Sequence, residues 1–311
     1  MTGQPDRNNL DKYQGCLLGL AVGDAVGTTL EFRPRGSFEP IDDMVGGGPF
    51  GLQPGQWTDD TSMALCLAES LLTKQGFDAA DQMTRYCNWW QWGYFSSTGN
   101  CFDIGNTVRG ALQRFLDSGE PYSGSLDAHS AGNGSIMRLA PVAMYYSPRI
   151  EQVVQYCGES SRTTHGADEC VDACRLMGVI LHQLLTGDAK EDVLEDPIYV
   201  PYTDKVAQIC MGGYLNKSES EVRGTGYVID ALEAALWCFA HTDNFQDAVL
   251  KAANLGDDAD TTAAIVGQIA GAYYGVSGIR QDWLDKLHMR DDIAAMAEQL
   301  HAAQPTKEPQ A

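Results

Sequence analysis

Apolar residues recur at helical spacing along most of the chain. The pattern predicts helices over 10–26, 61–72, 79–90, 107–116, 152–157, 167–185, 227–240, 245–253 and 261–274. Strict period-two alternation is absent, and β-branched clusters such as Ile198-Tyr199-Val200 are too short to build a sheet. The fold expected is all-α. With no repeat and no break in composition, one compact multi-helix domain is expected over 10–303, between polar flexible ends at 1–9 and 304–311.

Glycine and proline concentrate in two stretches, 33–55 and 123–135, long enough to be functional loops. Glycine also occurs inside helices, where it costs about 1 kcal/mol relative to alanine. Gly15, Gly19, Gly23 and Gly27 are spaced by four, as are Gly267, Gly271 and Gly275. Such spacing forms one bare ridge on a helix, so both helices should be central and able to approach another backbone closely, each other's being one candidate. Flexible helix ends would explain Gly27 and Gly275, but not the interior glycines.

Charge changes the picture next. Lys plus Arg total 21 against 42 Asp plus Glu, a formal charge of −21. That is the wrong sign for gripping a phosphate backbone, so nucleic-acid binding is not expected. The nine cysteines are scattered and lack a C-x-x-C pair. They read as reduced core thiols, including Cys170 and Cys174, and with neither a signal region nor a membrane-length apolar run the expected location is cytoplasmic.

Carboxylates cluster at two predicted helix starts, Trp57-Thr58-Asp59-Asp60-Thr61 and Gly256-Asp257-Asp258-Ala259-Asp260-Thr261. N-capping accounts for one acid per site, but not for two and three that repel one another. Carboxylate and hydroxyl oxygens within one turn suit Mg²⁺ or Mn²⁺, and the two sets together could hold a pair of ions. An Mg²⁺-dependent isoprenoid synthase would want D-D-x-x-D spacing, which Asp59-Asp60-Thr61-Ser62-Met63 does not supply. In Asp103-Ile104-Gly105-Asn106, a carboxylate on a tight glycine-containing turn can accept hydrogen bonds from a guanidinium, or cap the helix beginning at Thr107, or both.

Several motifs then occur in one order. Gly15-Cys16-Leu17-Leu18-Gly19, Gly23-Asp24-Ala25-Val26-Gly27 and Glu31-Phe32 precede Trp57-Thr58-Asp59-Asp60-Thr61. Asn133-Gly134-Ser135-Ile136-Met137-Arg138-Leu139-Ala140-Pro141, Thr164-His165-Gly166, Gly226-Tyr227 and Gly256-Asp257-Asp258-Ala259-Asp260-Thr261-Thr262 follow. Together they resemble the ADP-ribosylglycohydrolases over roughly 10–275. Cys101-Phe102-Asp103-Ile104-Gly105-Asn106-Thr107 makes the chain most similar to the dinitrogen reductase-activating branch.

The resemblance implies an all-α fold with a dinuclear Mg²⁺ or Mn²⁺ centre in a cleft. Thr58, Asp59, Asp60, Asp258, Asp260 and Thr261 would be the metal ligands, with Asp257, where many relatives carry glycine, at most supporting them. Glu31 would face the reacting ribose. Whether the base is Glu31 or one of Asp59, Asp60 and Asp258 stays open. Asn133, Gly134, Ser135 and Met137 would meet the diphosphate, with a helix starting near Met137 adding its dipole. His165 would hydrogen-bond the ADP-ribose, Tyr227 would stack on its adenosine end, and Asp103 with Asn106 would face the acceptor. The expected reaction is hydrolysis of the N-glycosidic bond between ADP-ribose and an arginine of a modified protein, releasing ADP-ribose. Other ADP-ribose linkages, or binding without turnover, are the alternatives.

Overall fold

Helices supply the regular structure of residues 7–305, which the computed structural model describes. In chain order they are α1 (Arg7–Gly27), α2 (Asp59–Lys74), α3 (Ala79–Trp92), α4 (Asn106–Ser118), α5 (Ala140–Tyr146), α6 (Ile150–Thr164) and α7 (Asp168–Thr186). Then follow α8 (Lys190–Glu195), α9 (Asp204–Cys210), α10 (Val228–Ala240), α11 (Phe245–Ala253), α12 (Ala259–Tyr274), α13 (Gln281–Lys286) and α14 (Arg290–Ala302). Among the described residues, β-type pairing is limited to isolated bridges. Among the described residues, no helix is long and apolar enough to cross a membrane.

The two glycine-ridged helices pack directly on each other. A Cβ placed on Gly15, Gly19, Gly23 or Gly27 would come within 3.0 Å of the backbone at Gly271, Gly267, Ala263 or Ala259, and Gly267 and Gly271 face α1 in the same way. Bare ridges thus allow α1 and α12 to approach backbone to backbone. Gly275 is different: its φ of 73° closes α12. Around the pair lies a core that includes Leu17, Leu20, Trp57, Trp89, Phe239, Phe245 and Trp283, all essentially inaccessible.

Two boundaries depart from the apolar pattern for physical reasons. The segment read as 152–157 extends to Thr164, because Ser160, Ser161, Thr163 and Thr164 are buried although polar. The helix expected near Met137 starts instead at Ala140, immediately before Pro141, and residues 134–138 form turns. At the chain's start, α1 takes in residues 7–9; segments 1–6 and 306–311 lie outside the described residues. Helices α8, α9, α13 and α14 lie where no helix was predicted.

This packing places the end of α1, the start of α2 and the start of α12 at one point. Bridges Ser125↔His165 and Gly132↔Tyr227 then fasten the 123–135 loop across the same end of the molecule.

Candidate active site

Asp24, near the end of α1, is wholly buried. It accepts hydrogen bonds from the backbone N–H of Thr58 (2.9 Å) and Thr61 (3.1 Å) and from the hydroxyls of Thr58 (2.9 Å) and Thr61 (2.6 Å). It therefore caps α2 from another helix, as the unpaired amides of a helix start require. Glu31 does the same for α12: its Oε2 accepts from the N–H of Ala259 (2.8 Å) and Asp260 (3.3 Å). Each acid-bearing helix start is thus held by a carboxylate from the α1 side.

Two groups of acids result, Asp24 with Asp60 and Asp260, and Glu31 with Asp258 and Asp260; within each, oxygens lie within 4.8 Å of one another. Asp260 belongs to both. The Thr58 hydroxyl has Asp24 at 2.9 Å, Asp60 at 3.0 Å and Asp260 at 3.3 Å, yet carries one proton to share among three carboxylates. The Asp60 Oδ1 atom is buried without a hydrogen-bond partner. Burial raises every one of these carboxyls, Asp24 to about 6 and Asp260 to about 7, with Asp59, Asp60 and Glu31 all well above the usual range. An orphaned buried oxygen and crowded hard donors are what a divalent cation satisfies, so the residues present fit a metal centre.

Above this cluster lies a cleft of about 350 Å³, lined by Glu31, Asp59, Asp103, Asn133, Gly134, Met137, His165, Asp258, Asp260 and Thr261. Asp103 itself takes the left-handed turn, with φ of 60°, while Gly105 is extended. Gly105, not Asp103, occupies the cap position of α4 and Asn106 is that helix's first residue, so the capping role falls away. Burial and neighbouring Asp260 push the Asp103 carboxyl up to about 10. Asp257 has a φ of 57°, a conformation glycine adopts most readily, and its carboxylate lies 3.8 Å from Arg223, outside both acidic groups.

The 132–137 loop is fastened to the cluster by the Asn133 amide, which donates to Asp258 at 2.9 Å. Among the described residues, no backbone bond takes the amides of Gly134 and Ser135. The Ser135 hydroxyl, however, accepts from Ser161 at 2.9 Å and lies 3.4 Å from Cys174, buried away from the cleft. The Ser135 side chain thus turns away from the cleft, and α5 starts only beyond the loop, at Ala140. A second cavity of about 560 Å³ shares Thr107, Gly132 and Gly226 with the first and is lined by His129, Lys205 and Tyr227. There Lys205 donates to the Tyr227 hydroxyl at 2.6 Å and lies 4.9 Å from its ring centre, and Glu169 also bonds that hydroxyl.

The ADP-ribosylglycohydrolase family model matches residues 5–310. The chain belongs to that family. It is 47% identical over 304 residues to "ADP-ribosylarginine hydrolase Tri1" of Serratia proteamaculans, covering 98% of this chain and 82% of the relative. Identity is 33% over 287 residues to "ADP-ribosyl-[dinitrogen reductase] glycohydrolase" of Rhodospirillum rubrum, covering 90% and 91%. A solved structure described as an "ADP-ribosylglycohydrolase-related protein complex" matches with a TM-score of 0.85 at 40% identity, over 96% of this chain and 100% of that one.

For an ADP-ribosylglycohydrolase, the residues missed from sequence are Asp24 and Arg138. The signal for Asp24 was a lone acid inside the otherwise apolar Leu17–Val26 run. Arg138 is a fully buried cation beneath the 132–137 loop; burial first, and then the Arg138 charge, hold the His165 imidazole down at about 3.

Proposed function

We propose that this protein is a metal-dependent ADP-ribosylarginine hydrolase, cleaving the N-glycosidic bond between ADP-ribose and an arginine side chain. The observation that carries this reading is the convergence of carboxylates from both ends of the chain on the floor of a cleft that continues into a second cavity. An elongated ligand fits that shape, with its reacting ribose over the acids and its base end near Tyr227.

Thr58, Asp59, Asp60, Asp258, Asp260 and Thr261 would hold two divalent cations, Mg²⁺ or Mn²⁺, with Asp24 fixing the helix start that presents the first three. Bound cations supply electrostatic stabilisation and water activation. Glu31, positioned by the amides of α12, faces the anomeric carbon, where positive charge develops as the C–N bond breaks, and its carboxylate and those of Asp59 and Asp258 stabilise that charge. The amides of Gly134 and Ser135 are placed to receive diphosphate oxygens, Met137 packs beside them, and His165 bonds the same moiety. Tyr227 stacks at the adenosine end. Asp103 and Asn106 line the cleft on the acceptor side, where Asp103 pairs with the guanidinium. ADP-ribose is the product, the modified protein the partner, and the cytoplasm the location that nine unpaired thiols favour.

The test is incubation with arginine-, serine- and nucleobase-linked ADP-ribose after chelation and again after adding Mg²⁺ or Mn²⁺. Free ADP-ribose is expected from the arginine linkage, and only with the cation. Release without metal, or a preference for another linkage, overturns the corresponding half of the reading.

A further inference from the structure

Arg138 has an unusual position for a cation. Its side chain is fully buried, and among the described residues no ion pair reaches it. The guanidinium lies 4.6 Å from the centre of the Tyr86 ring. One terminal nitrogen donates to the Gly134 carbonyl at 2.9 Å, and the other donates to the Thr164 hydroxyl at 2.7 Å. That hydroxyl lies 2.9 Å from Nδ1 of His165.

The direction of each bond in this row follows from the chemistry of the groups. A guanidinium has donors only and stays protonated. The Thr164 oxygen therefore accepts from Arg138. Its single proton has one acceptor among the described residues, Nδ1 of His165, which must then be the unprotonated ring nitrogen. The neutral ring keeps its proton on Nε2. No hydrogen bond reaches Nε2 among the described residues, and His165 lines the cleft beside Gly134. The ring is also held in place: a Cβ on Gly134 would fall 2.8 Å from its Cε1 atom.

We propose that Arg138 is a positioning residue which, through Thr164, fixes His165 as a neutral Nε2–H donor aimed at an anionic oxygen of the ADP-ribose moiety. The assignment of the ligand rests on the function proposed above; the direction of the relay does not. A cation fits this task better than a neutral donor, because it cannot reverse the row of hydrogen bonds and it disfavours a second proton on the ring. It also leaves a positive charge under the loop whose free amides face the same ligand.

The direct test is a two-bond ¹H–¹⁵N correlation spectrum of the intact ¹⁵N-labelled chain without ADP-ribose. The His165 signals are assigned by their loss in His165→Gln. A protonated Nε2 with a bare Nδ1 is expected; a protonated Nδ1 overturns the relay, and this measurement needs no variant of Arg138 to fold. Thr164→Val, which keeps the shape but removes the hydroxyl, should release the ring into a mixture of tautomers and weaken ADP-ribose binding about tenfold by calorimetry. Thr164→Ser should restore both, which a purely structural role would not require. A single Nε2–H tautomer with unchanged affinity in Thr164→Val overturns the proposal. If the tautomer is as expected and ADP-ribose does not bind, the relay is upheld and the substrate reading fails; binding with Nδ1 protonated is the reverse outcome.

Discussion

Asp260 is shared by the two acidic groups, so Asp260→Ala would strip a ligand from both of the cation positions proposed above. The expected loss in kcat is about a hundredfold or more, the scale for removing a transition-state stabiliser. Metal analysis alongside single-turnover kinetics checks it, and an unchanged kcat contradicts the role. Asp103→Asn separates recognition from chemistry. Losing a charge-assisted contact to a guanidinium should lower kcat/KM for arginine-linked ADP-ribose about ten- to a hundredfold while narrowing the preference over a serine linkage. Equal loss on both substrates, at one saturating metal concentration, removes Asp103 from acceptor selection. Single residues were unevenly legible from sequence. Thr58 to Asp60 and Asp258 to Thr261 stand in short runs whose density of oxygen ligands is itself a signal. Asp24 and Arg138 act through elements distant in sequence: an acid alone in an apolar run marks Asp24 as unusual, but the neighbours of neither residue reveal its task. The inward turn of the Ser135 hydroxyl was not legible, because loop composition does not tell which way a side chain turns.

At the level of elements, the α1–α12 contact reverses the ordinary effect of glycine in a helix. Replacing a helix-interior glycine by alanine normally gains up to about 1 kcal/mol. Gly271→Ala should instead destabilise by roughly 1–3 kcal/mol, since its methyl meets the Gly15 backbone, which cannot move aside cheaply. Gly110→Ala in α4 provides the contrast: its methyl meets only the flexible end of Arg114 at 3.3 Å, so a gain of a few tenths to about 1 kcal/mol is expected. Urea unfolding of both variants measures the two signs. The glycine spacing was readable because it is periodic. The second half of α6 was not, because its buried face is made of hydroxyls bonded to partners elsewhere, such as Gln82 to Ser160 at 3.0 Å. α14 shows the opposite case, an apolar spacing of Ile293, Ala297 and Leu300, all buried, that is legible once sought.

For the molecule as a whole, the acidic cluster links stability to pH and to metal. Folding lifts Asp24 from 3.8 to about 6 and Asp260 from 3.8 to about 7, so without cations the folded state binds protons more tightly than the unfolded chain. That contribution is complete below about pH 4 and is lost as pH rises through 6 and 7. Chelated protein should therefore melt at progressively lower temperature between about pH 5 and pH 8. Adding Mg²⁺ or Mn²⁺ should raise Tm far more at the alkaline end, with about 2.7 kcal/mol gained at a hundredfold excess over Kd. A chelated Tm that does not change across this range, or a cation effect independent of pH, contradicts the cluster's assigned environment.

The α1–α12 contact also sets when, during synthesis, an enzyme can exist. Thr58 and Asp260 are 202 positions apart, and the helix that must lie in the groove of α1 is translated long after α1 itself. Until α12 has left the ribosome, the nascent chain presents a glycine-and-aliphatic stripe on α1 with nothing to cover it, together with half of an acidic centre. Chains broken off earlier are thus expected to be inactive and open to chaperones and proteases through the same uncovered stripe. Catalytic competence and escape from quality control should therefore arrive in one step, and chains terminated before α12 should show no hydrolase activity when assayed.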